Sequence, residues 1–312
     1  MQTQLSPHPR GVLVSFCDDF APRETKDYIY KELPKKVQTI NTRVAYIGSE
    51  CVRDIVNEYD PIRYQMPYCL ENEAFRLSYR LGSESNSPHG GIYSVYSKIH
   101  EAELWSAPHK DACFFSPIYE YTPYSAQSNP YEERRLLGRN IRGLHAVVDI
   151  GRLQDVRILE EGEVFHKVEL VYALAGTQFC SVIIKMFQQL PRIDFSLRCA
   201  KTIRDVPESL YLPLSLSPPS PNNKQGTCYI DKGGVPFRPG IDQIPGTCME
   251  YYLSDQGLLF RGDSGASLAI HCPDAPMLYM GELKHHPISL CDGREEYNRR
   301  PLYSWVMNNI WE

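Results

Sequence analysis

The sequence predicts an all-β protein, a large antiparallel two-sheet sandwich preceded by a smaller β-rich domain. Three observations predict it. The 312 residues include 21 tyrosines and 24 prolines; aromatic residues favour pleated strands, whereas prolines cut a chain into short elements and penalise long helices. Apolar side chains recur mainly with period two. The alternating runs are separated by short Gly-, Pro- and Asn-containing segments, which is how turns are punctuated.

Taken in order, Val12–Phe16 reads as a first strand that runs into a turn at Asp18-Asp19. Ser49 is placed to cap a short helix with Val52, Ile55 and Val56 on one side. The segment Gly82 to Gly91 is polar and free of bulky apolar residues, and marks a boundary between a small domain over residues 1–82 and a large one over residues 90–312. Asn129-Pro130-Tyr131-Glu132 supplies an N-cap, a first-turn proline and a capping-box glutamate for a second helix through Leu137.

Glu163–Leu174 and Gln178–Gln188 follow as strands joined by Ala175-Gly176-Thr177. In Arg192–Cys199, Ile193, Phe195, Leu197 and Cys199 share one face. Leu210, Leu212, Leu214 and Leu216 repeat that alternation around Pro213. A proline donates nothing to a ladder, so this strand is expected at an edge or at a bulge. Beyond a loop at Pro218–Gly226, strands are predicted at Met249–Leu253, Gly257–Arg261, Ala266–His271, Met277–Leu283 and Leu302–Trp311. The aromatic run at the chain end reads as a cut through a strand rather than a natural terminus.

A net charge of −5 without a basic stripe argues against nucleic acid as a partner. No apolar run is long enough to span a membrane as a helix, and the first residues lack a signal peptide's basic start and apolar core. Ten cysteines are scattered singly, with no C-x-x-C pair. Buried free thiols in a reducing, cytoplasmic setting account for that spread better than bridges or zinc.

Several segments, in this order, resemble the C-terminal β-sandwich half of glycoside hydrolase family 38, the α-mannosidases. They are Gly90–Lys98 with Glu103-Leu104, Leu170–Phe195, Gly234–Gly246, Asp274-Ala275-Pro276 with Gly281, and Leu302–Trp311. The resemblance implies a galactose-mutarotase-like sandwich, truncated at its C-terminus, that supports an active site and contacts carbohydrate, an α-mannoside-like glycan. In that family the zinc ion and the nucleophilic aspartate belong to an N-terminal catalytic domain with no counterpart here. The resemblance therefore implies a missing catalytic domain as partner, no catalytic residue and no metal ligand in this chain, and zinc only in that domain. A freestanding carbohydrate-binding module and an aldose epimerase-like isomerase using His145 or His166 with Glu169 are the alternative functions.

Candidate carbohydrate contacts are Arg238, Asp242 and Gln243, planar hydrogen-bonding groups in a Pro- and Gly-rich loop near Phe237, Tyr251 and Tyr252. The same loop reads equally as a structural one whose polar groups serve its own backbone. Asn308 and Asn309 either line a cleft or bond a neighbouring loop. Asp18-Asp19 reads as turn-capping rather than catalytic. His285-His286 and His271-Cys272 lack converging partners for a metal. Arg261-Gly262-Asp263 reads as a turn ending a strand.

Overall fold

The computed structural model describes residues 2–29, 43–44, 53–54, 69–82, 89–107, 112–123, 146–218, 226–262, 265–284, 288–293 and 301–309. No helix occurs among them, and the strands run as follows. The first eight are β1 (Thr3–His8), β2 (Gly11–Phe16), β3 (Arg43–Val44), β4 (Arg53–Asp54), β5 (Cys69–Glu71), β6 (Phe75–Leu81), β7 (Gly90–Ser97) and β8 (Ala102–Glu103). Next come β9 (Ile118–Tyr121), β10 (Val147–Ile150), β11 (Arg152–Glu161), β12 (Phe165–Ala173), β13 (Thr177–Phe187), β14 (Ile193–Lys201) and β15 (Glu208–Pro213). The last seven are β16 (Thr227–Lys232), β17 (Val235–Phe237), β18 (Tyr251–Leu253), β19 (Gly257–Arg261), β20 (Ser267–His271), β21 (Met277–Met280) and β22 (Leu302–Asn309).

Two antiparallel sheets dominate: a six-stranded one, β10-β9-β15-β22-β21-β18, and a four-stranded meander, β11-β12-β13-β14. Two further four-stranded sheets, β5-β6-β7-β8 and β17-β16-β19-β20, complete the body, with hairpins β1-β2 and β3-β4 beside them. The alternation in sequence explains the layering. Val168, Leu170 and Tyr172 on β12 and Val182, Ile184 and Met186 on β13 share one buried cluster with Tyr119, Leu210, Leu278, Met280 and Leu302 of the six-stranded sheet. Each such side chain contributes about 1.5–3 kcal/mol when removed from water. This is the sandwich core.

The six-stranded sheet is also buried on its other face. There Ile118, Tyr211, Tyr279, Tyr303 and Trp305 form a second cluster, with the rings of Tyr211 and Trp305 stacked 5.8 Å apart. One register shift makes this possible. Leu210 pairs with Met307 but Tyr211 pairs with Trp305, so Val306 is an extra residue that bulges β22.

Several sequence expectations are corrected. The strand holding Pro213 is not at an edge, since β15 lies between β9 and β22. The bulge lies in its partner β22, at Val306, and Pro213 is the last residue of β15. The Gly82–Gly91 segment is not a boundary between sheets, because β6 and β7 on either side of it pair with each other from Phe75↔Ser97 to Leu81↔Gly90. Leu77, Tyr79, Ile92 and Val95 accordingly lie in one core with the large sandwich. The hairpin β1-β2 has no core of its own either. It is clipped to the β11-β12 turn by Gln4, whose Oε1 accepts the amides of Val164 (3.1 Å) and Phe165 (2.9 Å). Of the helix expected after Ser49, only Arg53 and Asp54 are described, and they form a short strand paired with β3. The helix expected from Asn129 lies outside the described residues, as do His285 and His286.

Candidate functional site

Arg238, Asp242 and Gln243 lie together in the turn after β17, where Arg238 and Asp242 bind each other and Gln243 binds its neighbours in the loop. Asp242 accepts from the Arg238 amide at 2.9 Å, from its Nε at 3.0 Å and from its Nη2 at 2.7 Å. This fork holds the Asp242 carboxyl well down in the acid range, at about 2. Gln243 Oε1 accepts the Gly240 amide at 2.7 Å and the Tyr252 hydroxyl at 2.8 Å, while its Nε2 donates to the Cys248 carbonyl at 3.1 Å. Of the two readings open for this loop, the geometry shows internal bonding that fixes its shape.

The asparagines lie elsewhere. Tyr303 is level with Tyr279 and Tyr251 across the sheet. Asn308 and Asn309 extend beyond this line in one direction, whereas Gln243 binds Cys248, before Tyr251, in the other. The two candidate groups are therefore not brought together. Asn308 pairs with Ser209 and projects with it and Glu120 on one face, whereas Asn309 pairs with Glu208, which in turn pairs with Tyr121 on the other.

That second row is part of a polar and aromatic cluster that sequence reading missed. Tyr119, two residues along β9 from Tyr121 and on the same face, donates its hydroxyl to Glu208 Oε2. Lys201, the last residue of β14, reaches the same oxygen at 2.6 Å. The Tyr119 and Tyr121 rings stack at 5.5 Å. The Arg204 guanidinium lies over both, 5.6 Å from the first and 4.9 Å from the second. Tyr119 is buried to 0% exposure and Glu208 to 6%, whereas Tyr121, Arg204 and Asn309 are half-buried. Burial, then the bond to Glu208, push the Tyr119 hydroxyl far above an ordinary phenol, so it is a fixed hydrogen donor. The available sequence signal was the alternation Tyr119-Glu120-Tyr121 beside Glu208; nothing local linked it to Lys201.

This arrangement is a fixed set of polar and aromatic groups. Cation, carboxylate, amide and ring face converge from β9, β14, β15 and β22 and the segment after β14, and the rigid sheet fixes them. Its carboxylate takes both of these donors on the one oxygen, Oε2.

Other constellations are structural. Glu169, 4% exposed, accepts from Ser181 at 2.7 Å and pairs with Arg198 (3.4 Å) and Arg157 (3.7 Å) across the meander. His166 and Glu169 stand on opposite faces of β12, whose pairing with β13 is unbroken between them; His145 lies outside the described residues. Asp18 accepts from Tyr28 at 2.7 Å and Lys26 at 3.2 Å in an exposed turn. His271 is exposed and meets Gln256 at 3.1 Å. Gly262 follows Arg261 out of β19 and its amide donates to Ala266. Among the described residues no three His, Cys, Asp or Glu side chains are placed to hold a metal ion, and no helix is long and apolar enough to cross a membrane.

No family model, curated protein or solved structure matches the chain.

Proposed function

We propose that this chain is a non-catalytic β-domain of an α-mannosidase-like glycoside hydrolase, supporting an active site carried on another domain and contacting the glycan. The observation that carries the carbohydrate contact is the Tyr119–Tyr121–Lys201–Arg204–Glu208–Asn309 cluster. Sugars are held by planar, charged hydrogen-bonding groups and by apolar ring faces, and here both kinds meet at a half-buried surface. The hydrolase reading rests on the ordered resemblance of residues 90–312. Gly90–Ser97, Leu170–Phe195 and Leu302–Asn309 of that resemblance contribute strands to one core. The cytoplasmic setting rests on the single, scattered cysteines.

Isothermal titration of the chain with α-linked mannose oligosaccharides tests the contact. Binding is expected, weakened roughly tenfold in Arg204→Ala by loss of one charged, ring-covering group. Silence across a panel of oligosaccharides would sink the carbohydrate reading. Turnover of an aryl α-mannoside by the chain, with or without added zinc, would sink the non-catalytic one.

A further inference from the structure

The meander places two cysteines directly opposite each other. Cys180 on β13 pairs with Cys199 on β14, and no register shift falls between them and the turn. The hydrogen-bonding phase of the ladder follows from that turn, where the Phe187 amide donates to the Arg192 carbonyl. Phe187 and Arg192 thus form a hydrogen-bonded pair, and such pairs alternate along an antiparallel ladder. Counting back, Ser181 with Arg198 is a hydrogen-bonded pair and Cys180 with Cys199 is not. Non-hydrogen-bonded partners have their Cα atoms about 4.5 Å apart and their side chains close together, within the range of about 4.4–6.8 Å that a disulfide bridges. The register alone therefore sets the two side chains next to each other on one face of the meander.

Access is asymmetric. Cys180 is fully buried in the core at 0% exposure, and Cys199 is exposed on β14, the edge strand of its sheet. An oxidant in solution reaches one sulfur, and the other waits behind it.

We propose that Cys180 and Cys199 form a reversible cross-strand dithiol–disulfide pair, with Cys199 the entry thiol and Cys180 the resolving one. With oxidised glutathione as oxidant, the Cys199 thiolate attacks one glutathione sulfur, and the glutathione disulfide breaks to release one glutathione thiolate. The Cys180 thiolate then attacks Cys199 Sγ in the mixed disulfide and expels the second glutathione. Two protein thiols lose two protons and two electrons in total, and one oxidised glutathione becomes two reduced ones. Burial raises both thiols, Cys180 to about 12, so the exchange quickens with rising pH. The closed bridge would pin the end of β14 that carries Lys201 to Glu208.

The test is non-reducing peptide mapping of the full chain after incubation with oxidised glutathione at pH 8.5. A linked pair of peptides containing Cys180 and Cys199, two hydrogens lighter than the reduced pair and separated by dithiothreitol, is expected. The Cys180→Ala chain should stop as a glutathione adduct on Cys199. A wild-type chain that ends as the stable Cys199 adduct, or that links either cysteine elsewhere, overturns the proposal; this result does not depend on any variant folding.

Discussion

At the scale of the residue, one carboxylate oxygen takes most of the weight of the candidate site. Glu208 Oε2 receives the Tyr119 hydroxyl from one strand and the Lys201 ammonium from another sheet. A hydrogen bond to a charged group is worth about 1.5–3 kcal/mol. Tyr119→Phe should therefore lower unfolding stability by about that amount in urea titration, with the far-ultraviolet dichroism of the folded chain unchanged. Asp242 makes a separate prediction. Its folded pKa lies below the unfolded value, so the stability it contributes is present above about pH 4 and is lost as pH falls towards 2. Carbon-detected NMR titration should place its midpoint near 2, and Arg238→Ala should return it to the ordinary aspartate range. An unshifted midpoint in the parent would refute the fork described here.

At the scale of the element, the strands were the most legible part. Period two in Glu163–Leu174, Gln178–Gln188 and Arg192–Cys199 anticipates β12, β13 and β14, because half-buried antiparallel strands show their inside and outside in the sequence itself. Where both faces are buried this signal fades. All six residues of β15 are buried, and β22 offers Tyr303 and Trp305 to one cluster and Leu302 to another. The turn between β12 and β13 carries a further test. Gly176 has φ +71°, and a Cβ there would lie 2.5 Å from the Tyr119 ring. A left-handed backbone and the clash act together, so Gly176→Ala should lower the melting temperature by several degrees, about 4 °C per kcal/mol or less for a chain this long. A variant as stable as the parent would show that the ring yields.

At the scale of the whole molecule, the described residues form a sandwich-like body with the β1-β2 hairpin attached to its flank. Gln4 supplies the acceptor for two amides of the β11-β12 turn and itself donates to Glu160 at 2.7 Å. Gln4→Ala would leave those amides without that acceptor, a cost of about 1–3 kcal/mol for each buried group. Hydrogen exchange at Val164 and Phe165 should accelerate while exchange in β13 stays slow; unchanged protection would mean that the hairpin is not held there. The sequence by itself determined the strand-rich class and the order and approximate limits of the central strands, because alternation and turn chemistry are local properties of the chain. Only the tertiary structure decided that β6 and β7 close one sheet across the presumed boundary, and that Arg238 and Asp242 bind each other. It alone brings Tyr119, Lys201, Glu208 and Asn309 to one place, and Cys180 opposite Cys199. Each of these is a pairing register or a long-range contact, set by which apolar faces must be buried against which, and no stretch of neighbouring residues encodes that separately.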